Sequence, residues 1–240
     1  LVRAQNENVL LLDAGDINTG SALSNMYDAK PDILAYNILE YDAVTFGNHE
    51  FDGTLEKLQN QMEISEFSWL GANITFEDGS FLGEPYIIKD YPGFRVGVLG
   101  LTTLRTLTIS SPDKSLVFAD EITTAQEYVD ILKNTMKCDI IIVLGHLGDV
   151  VEEASQNTSI KLAETVSGID IIVDGHAHTQ MDEPLFVNGT YIVSANEWGK
   201  YVGVGTLSVV DGELVDFQWK AEEITSEKYP RDGEIATILV

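Results

Sequence analysis

At four places in this chain a short apolar run ends in a turn with glycine in it, and histidine, asparagine or aspartate follows at once. Val9–Leu12 leads through Ala14 and Gly15 to Asp16. Ala43–Phe46 leads through Gly47 to Asn48 and His49. Ile140–Leu144 leads through Gly145 to His146, and Ile171–Val173 through Gly175 to His176 and His178. Runs of valine, isoleucine and phenylalanine of this length read as buried strands, and glycine lets the backbone turn off each strand. Polar groups just past the ends of several strands are the usual arrangement for a site at one edge of a sheet. The chain has 4 histidines, and every one lies in this context.

The stretch Tyr41–Asp52 carries most of the chemistry. After Gly47 come Asn48, His49, Glu50 and Asp52, groups able to bind a metal, move a proton or orient a neighbour. The simpler alternative is a polar turn in which Asn48 and Asp52 cap the next helix. The other histidines weigh against it, because Asp, Asn and His together suit borderline divalent ions such as zinc, manganese, iron or cobalt.

GDINTG, GNHEFD, a strand ending in GHLG, and GHAHT stand in the order found in calcineurin-like metallophosphoesterases. LGANI from Leu70, GVLGLTT from Gly97 and NEWGKYVG from Asn196 narrow this further. Over nearly its whole length the chain resembles the N-terminal catalytic domain of the bacterial 5′-nucleotidase and UDP-sugar hydrolase family. The resemblance implies an α/β fold, a four-layer α/β/β/α sandwich. It implies two divalent ions (Zn, Mn, Co or Fe) with Asp16 bridging them, since an aspartate has two oxygens and a charge to offset. Asn48, His146 and His176 resemble the ligands of one ion, and His178 a ligand of the other. His49 resembles the residue that contacts the phosphoryl oxygen or protonates the leaving group, with Asp52 holding its imidazole. Glu50 is expected in a supporting role. The family's first Asp-x-His motif does not stand ahead of the strand Val9–Leu12 in this sequence, so the chain is expected to begin after that motif's strand, to bind about one ion and to be weak or inactive alone.

Composition bounds the partners. With 240 residues, 44% hydrophobic and 22% charged, the chain is of ordinary globular make-up. No apolar run approaches the ~20 residues that span a bilayer. A net charge of −25 argues against nucleic acid and anionic membranes, and it suits an anionic substrate only where bound cations invert the local field. Cys138 is the single cysteine, which excludes an intrachain disulfide and reads as a small buried hydrophobe. Sequons stand at Asn73, Asn157 and Asn188. The opening LVRAQNEN is not a signal peptide. The resemblance implies a periplasmic, secreted or cell-surface location.

Along the chain, Leu1–Asn8 reads as a helix end before the strand Val9–Leu12, and Pro31 as a helix N1 residue. Helices are expected at Asp32–Leu39, Thr54–Glu66, Ile122–Met136 and Ile160–Val166. Strands are expected at Trp69–Ile74, Tyr86–Lys89, Phe94–Leu101 and Leu116–Phe118. GHLGDVVEEASQ reads as a loop in which Asp149, Glu152 and Glu153 are solvated charges. Asn188-Gly189 and Asp211-Gly212 signal hairpins, and the tail after Lys220 turns polar, then helical. Residues 1–220 are expected to form the catalytic domain without its first strand. Residues 221–240 would start the connection to a C-terminal substrate-binding domain.

The resulting expectation is hydrolysis of 5′-nucleotides or nucleotide diphosphate sugars by a metal-activated water. Two alternatives stand beside it. One is a relative acting on 2′,3′-cyclic nucleotides or thiosulfonate esters, and the other a non-catalytic binding or surface protein that keeps the fold and has lost one metal site.

Overall fold

The computed structural model describes residues 2–154 and 156–238. Leu1, Ser155, Leu239 and Val240, expected in the opening helix, the loop after His146 and the helical tail, lie outside the described residues. In chain order the elements are α1 (Val2–Gln5), β1 (Leu12–Asp13), α2 (Ala22–Met26), α3 (Lys30–Ile38), β2 (Ala43–Thr45), a 3₁₀ turn (His49–Phe51), α4 (Leu55–Ile64), β3 (Ser68–Leu70), β4 (Ile74–Phe76), β5 (Tyr86–Tyr91), β6 (Phe94–Thr102), α5 (Thr106–Ile109) and β7 (Leu116–Phe118). Then follow α6 (Glu121–Asp130) with a π turn (Ile131–Thr135), β8 (Ile140–His146), α7 (Ser159–Thr165), β9 (Ile171–Asp174), β10 (Leu185–Val187), β11 (Thr190–Val193), β12 (Tyr201–Val210), β13 (Glu213–Glu223) and α8 (Gly233–Ile238).

Alternation along the strands sorts the core into layers. Ile140, Ile142 and Leu144 of β8 point to one side, with Val96 and Val98 of β6, and meet Ala43 of β2 and Leu70 of β3. Ile141 and Val143 point to the other side and pack with Ala125, Val129 and Leu162 of α6 and α7. Val44 and Trp69 face away from the six-stranded sheet, toward Ile33 of α3 and Leu58 of α4. The order is therefore helices, sheet, sheet, helices: the four-layer α/β/β/α sandwich. Each fully buried aliphatic side chain here contributes about 1.5–3 kcal/mol.

The smaller sheet is parallel, in the order β1-β2-β3, and the larger runs β10-β11-β9-β8-β6-β5. Strands β6, β8, β9 and β11 are parallel, and β5 and β10 close the edges antiparallel. In register, Thr102 stands beside His146 and Gly145 beside Asp174. The C-terminal ends of β6, β8 and β9 thus open at one edge.

Local differences from expectation have local causes. Strand β1 is shorter than Val9–Leu12 because the Asp42 side chain takes the Leu11 N–H at 2.8 Å, where a neighbouring strand's carbonyl would. The expected strand Trp69–Ile74 is broken at Gly71, which lies against the Phe46 ring. The long helix expected to Met136 ends in the π turn, where Met136 N–H bonds the Ile131 carbonyl at 3.0 Å. Pro31 is the second helical residue, after Lys30. Strand β13 continues to Glu223, past residue 220. Asn73 is buried, its amide donating to the Thr102 and Ala119 carbonyls at 2.7 and 3.2 Å, so in this fold its sequon is closed to modification.

Candidate metal centre

Two turns meet at the sheet edge, and glycine is what lets them. A Cβ on Gly47 would lie 2.2 Å from Asp16 Oδ1, and one on Gly15 2.5 Å from Gly47 N. Neither leaves room for a side chain, so the loops after β1 and β2 touch backbone to backbone. Asp16 (φ 64°) and His176 (φ 75°) are both left-handed, a region costly for residues with a Cβ and kept where surrounding structure holds it.

The buried His146 imidazole is the hub. Nδ1 donates to the Ala14 carbonyl at 2.7 Å, and Nε2 lies 3.1 Å from Asp16 Oδ2 and 3.2 Å from Asn48 Oδ1. Burial pulls the imidazole down, but the Asp16 charge and the Ala14 carbonyl outweigh it and raise its pKa to about 9. Burial likewise pushes Asp16 up, yet His146 overcomes this and holds the carboxyl at about 2. At neutral pH the two form a buried ion pair. The half-buried His176 ring is 5.0 Å from that of His146, centroid to centroid; burial first and the His146 charge second press its pKa to about 4.

His49 stands at the rim. Its N–H donates to Asp16 Oδ1 at 2.8 Å, and its Nδ1 is 2.5 Å from Asp52 Oδ2. Burial pulls its pKa down, but the hydrogen bond to Asp52 and the charges of Asp16, Asp52 and Glu50 leave it raised. Nδ1 thus belongs to Asp52, and Nε2 is the atom left for chemistry. Glu50 turns inward: Oε2 accepts N–H bonds from Asp16 at 2.9 Å and Gly47 at 2.6 Å, and Oε1 accepts that of Asn18 at 3.0 Å. Its two oxygens pin the two glycine turns together, a supporting role. Asp174, pushed up to about 6 by burial, does the same for the loops after β8 and β9, accepting the N–H groups of Leu147, Gly148 and Gly175 at 3.0–3.2 Å.

The fold thus brings together Asp16, Asn48, His146 and His176, with His49 and Asp52 alongside. His178 stands apart. It is exposed, and its Nδ1 pairs with Glu197 at 2.9 Å, because the turn after Gly175 carries it away from the ring cluster. Asp149 accepts the Thr179 hydroxyl at 2.6 Å. Glu152 and Glu153 are exposed, as expected for loop charges, but both face Arg105, a residue the sequence reading did not single out. Its signal was there: Arg105 comes three residues past β6, whose last residue, Thr102, stands beside His146. A cleft of about 610 Å³ lined by Asn37, Tyr41, Asp42, Phe67 and Lys89 lies at the opposite ends of β2 and β3, away from this chemistry.

Asp16, His146 and His176 each offer a donor atom, all within 4.8 Å of one another, the one such group of His, Cys, Asp and Glu among the described residues. A carboxylate, two imidazoles and the Asn48 amide oxygen make a donor set that fits one divalent ion of the zinc, manganese, iron or cobalt kind. The Ala14 carbonyl fixes the His146 tautomer for that role, leaving Nε2 as the coordinating nitrogen.

The family profile for calcineurin-like phosphoesterases matches residues 1–180. A 5′-nucleotidase of Vibrio cholerae is 37% identical over 238 residues, spanning 89% of this chain and 43% of its own length. The structure of a 5′-nucleotidase precursor from Thermus thermophilus superposes with a TM-score of 0.88 at 31% identity, covering 99% of this chain and 50% of that one. The calcineurin-like phosphoesterase YfkN from Bacillus subtilis gives a TM-score of 0.84 at 28% identity, with 99% and 84% covered. The chain therefore spans less than half the length of the curated relative it matches.

Proposed function

The chain belongs to the calcineurin-like phosphoesterase family, and from that premise we propose that it hydrolyses phosphate esters with the help of divalent metal, 5′-nucleotides or nucleotide diphosphate sugars being the substrates. The observation that carries this reading is the convergence of Asp16, Asn48, His146 and His176 on one small space, with a histidine–aspartate pair at its rim. Relatives named 5′-nucleotidase support the substrate class.

Asp16, Asn48, His146 and His176 would hold the ion. A divalent ion there supplies Lewis acidity toward a phosphoryl oxygen and lowers the pKa of water. Asp16 brings the charge that offsets the ion, and Asn48 a neutral oxygen. His146, its Nδ1–H tied to Ala14, keeps Nε2 aimed inward. His49, protonated and steadied by Asp52, would give its Nε2 proton to the leaving oxygen. His178 would serve a second ion only with donors from outside these residues, so the described chain is assigned one ion. We place the catalytic unit at residues 1–220 with the β12–β13 hairpin running just beyond, and residues 221–240 as the start of a connection to a substrate-binding domain. A periplasmic or secreted location accompanies the reading; among the described residues no helix is long and apolar enough to cross a membrane.

The test is phosphate release from a 5′-nucleotide, a UDP-sugar and p-nitrophenyl phosphate, with Mn²⁺ or Zn²⁺ present and then chelated, alongside metal analysis of protein purified without chelator. Slow release that chelation abolishes, with about one ion per chain, is expected. No release from any ester with any of these ions would overturn the reading, and two tightly held ions per chain would overturn the assignment of one.

A further inference from the structure

We propose that Arg105 is a substrate-binding residue that takes the phosphoryl oxyanion, and that Glu152 and Glu153 hold it back until the anion arrives. The inference rests on the phosphoesterase reading and names a contact within that site.

Arg105 stands three residues past the end of β6, and the Thr103 N–H bonds the His146 carbonyl at 3.0 Å. The turn is thus tied to the strand that delivers the hub histidine. The guanidinium is mostly buried, with 13% of the side chain exposed. One terminal nitrogen, Nη1, donates to Glu152 Oε2 and lies 3.2 Å from His176 Nε2. Among the described residues Nε is buried without a hydrogen-bond partner, Glu153 Oε1 being 3.8 Å away. The neighbouring Thr106 hydroxyl is likewise buried and unpartnered.

A purely structural arginine would spend its donors on the carboxylates beside it. This one leaves Nε idle, turns one N–H toward a ring of the donor cluster, and meets only carboxylates whose own side chains are about half exposed, 47% and 51%. Arginine can only donate, so its N–H sits on the His176 lone pair. A metal ion coordinated through that nitrogen would have to displace it. The freed guanidinium would then stand beside the ion, where a tetrahedral oxyanion can accept a planar fork of N–H groups and satisfy Nε as well. In a chain of net charge −25 a dianionic substrate needs such a group, and Glu152 is the carboxylate it would replace.

Substitutions in opposite senses test this on metal-loaded protein. Arg105→Ala should weaken inorganic phosphate binding, measured by titration calorimetry, by ~10–100-fold, the worth of a charge-assisted hydrogen bond or two. It should raise KM for p-nitrophenyl phosphate in step, with kcat moved less and metal content unchanged. Arg105→Lys should recover part of the loss. Glu152→Gln should tighten phosphate binding, because a competitor for the guanidinium is gone. If Arg105 only anchors the loop, both substitutions release it alike, so shifts in the same direction overturn the inference. Unchanged phosphate affinity in Arg105→Ala, or loss of metal with it, does the same. Wild-type protein that neither binds phosphate nor releases it from any ester would sink the function reading and this inference together, whereas an active wild type matched by Arg105→Ala sinks this inference alone.

Discussion

His49 and Asp52 divide one task between them. The imidazole offers Nε2 to the reacting group, and the carboxylate 2.5 Å from Nδ1 fixes the tautomer and favours the protonated ring. The raised pKa of His49 means that its acid form persists to higher pH than that of a free histidine. Any stability the pair adds is present below the ordinary histidine pKa and lost as pH rises through the raised one. Asp52→Asn keeps the size and the backbone N–H bond to the His49 carbonyl that closes the 3₁₀ turn but removes the charge. Turnover should fall by ~10–100-fold, as for loss of a supporting carboxylate, and the alkaline limb of the kcat profile should move to lower pH. Metal content and melting temperature should stay put. His49→Ala should cost ~10²–10⁴-fold with metal retained. Equal loss of metal and activity would make His49 a ligand instead, and wild-type turnover in Asp52→Asn would leave His49 acting alone.

At the scale of elements, the loops after β1 and β2 meet through two glycines with no space for a methyl group. Gly47→Ala should therefore push Asp16 away from Asn48. Overpacking a tight contact costs about 1–3 kcal/mol, so the urea midpoint should drop and metal affinity with it. Gly233→Ala, where a Cβ meets nothing within 4 Å, should change stability by less than about 0.5 kcal/mol and serves as the control. Strand-then-turn signals were legible in the sequence because continuous apolar runs, buried on both faces in β2 and β8, and the glycines that end them are local properties. Both hairpins were legible for the same reason: Asn188, Gly189, Asp211 and Gly212 all take positive φ, which those residue types tolerate best. The role of Arg105 was not legible, since Glu152 lies 47 residues away and His176 71, and such pairings belong to the fold. The π turn after α6 was hidden likewise, set by packing around the buried Leu132.

On the scale of the whole molecule, the two sheets of the sandwich share a buried apolar layer and open their strand ends at one edge, so the site inherits the rigidity of the core. A net charge of −25 favours cations near the molecule, but at the Asp16–His146 pair a bound proton stands where a cation would sit. That pair makes the site a Brønsted acid. Asp16, held at about 2, is already ionised at neutral pH, and His176, pressed to about 4, is already neutral. His146, raised to about 9, is still protonated and must give up its Nε2 proton before that nitrogen can coordinate. Each ion taken up near pH 7 should thus expel about one proton, and affinity should climb about tenfold per pH unit until it levels off near 9. A pH-stat would register uptake as base consumed, and a titration heat would change with the ionisation enthalpy of the buffer. No proton released, or affinity flat between pH 6 and 8, would mean that His146 does not bind the ion through Nε2.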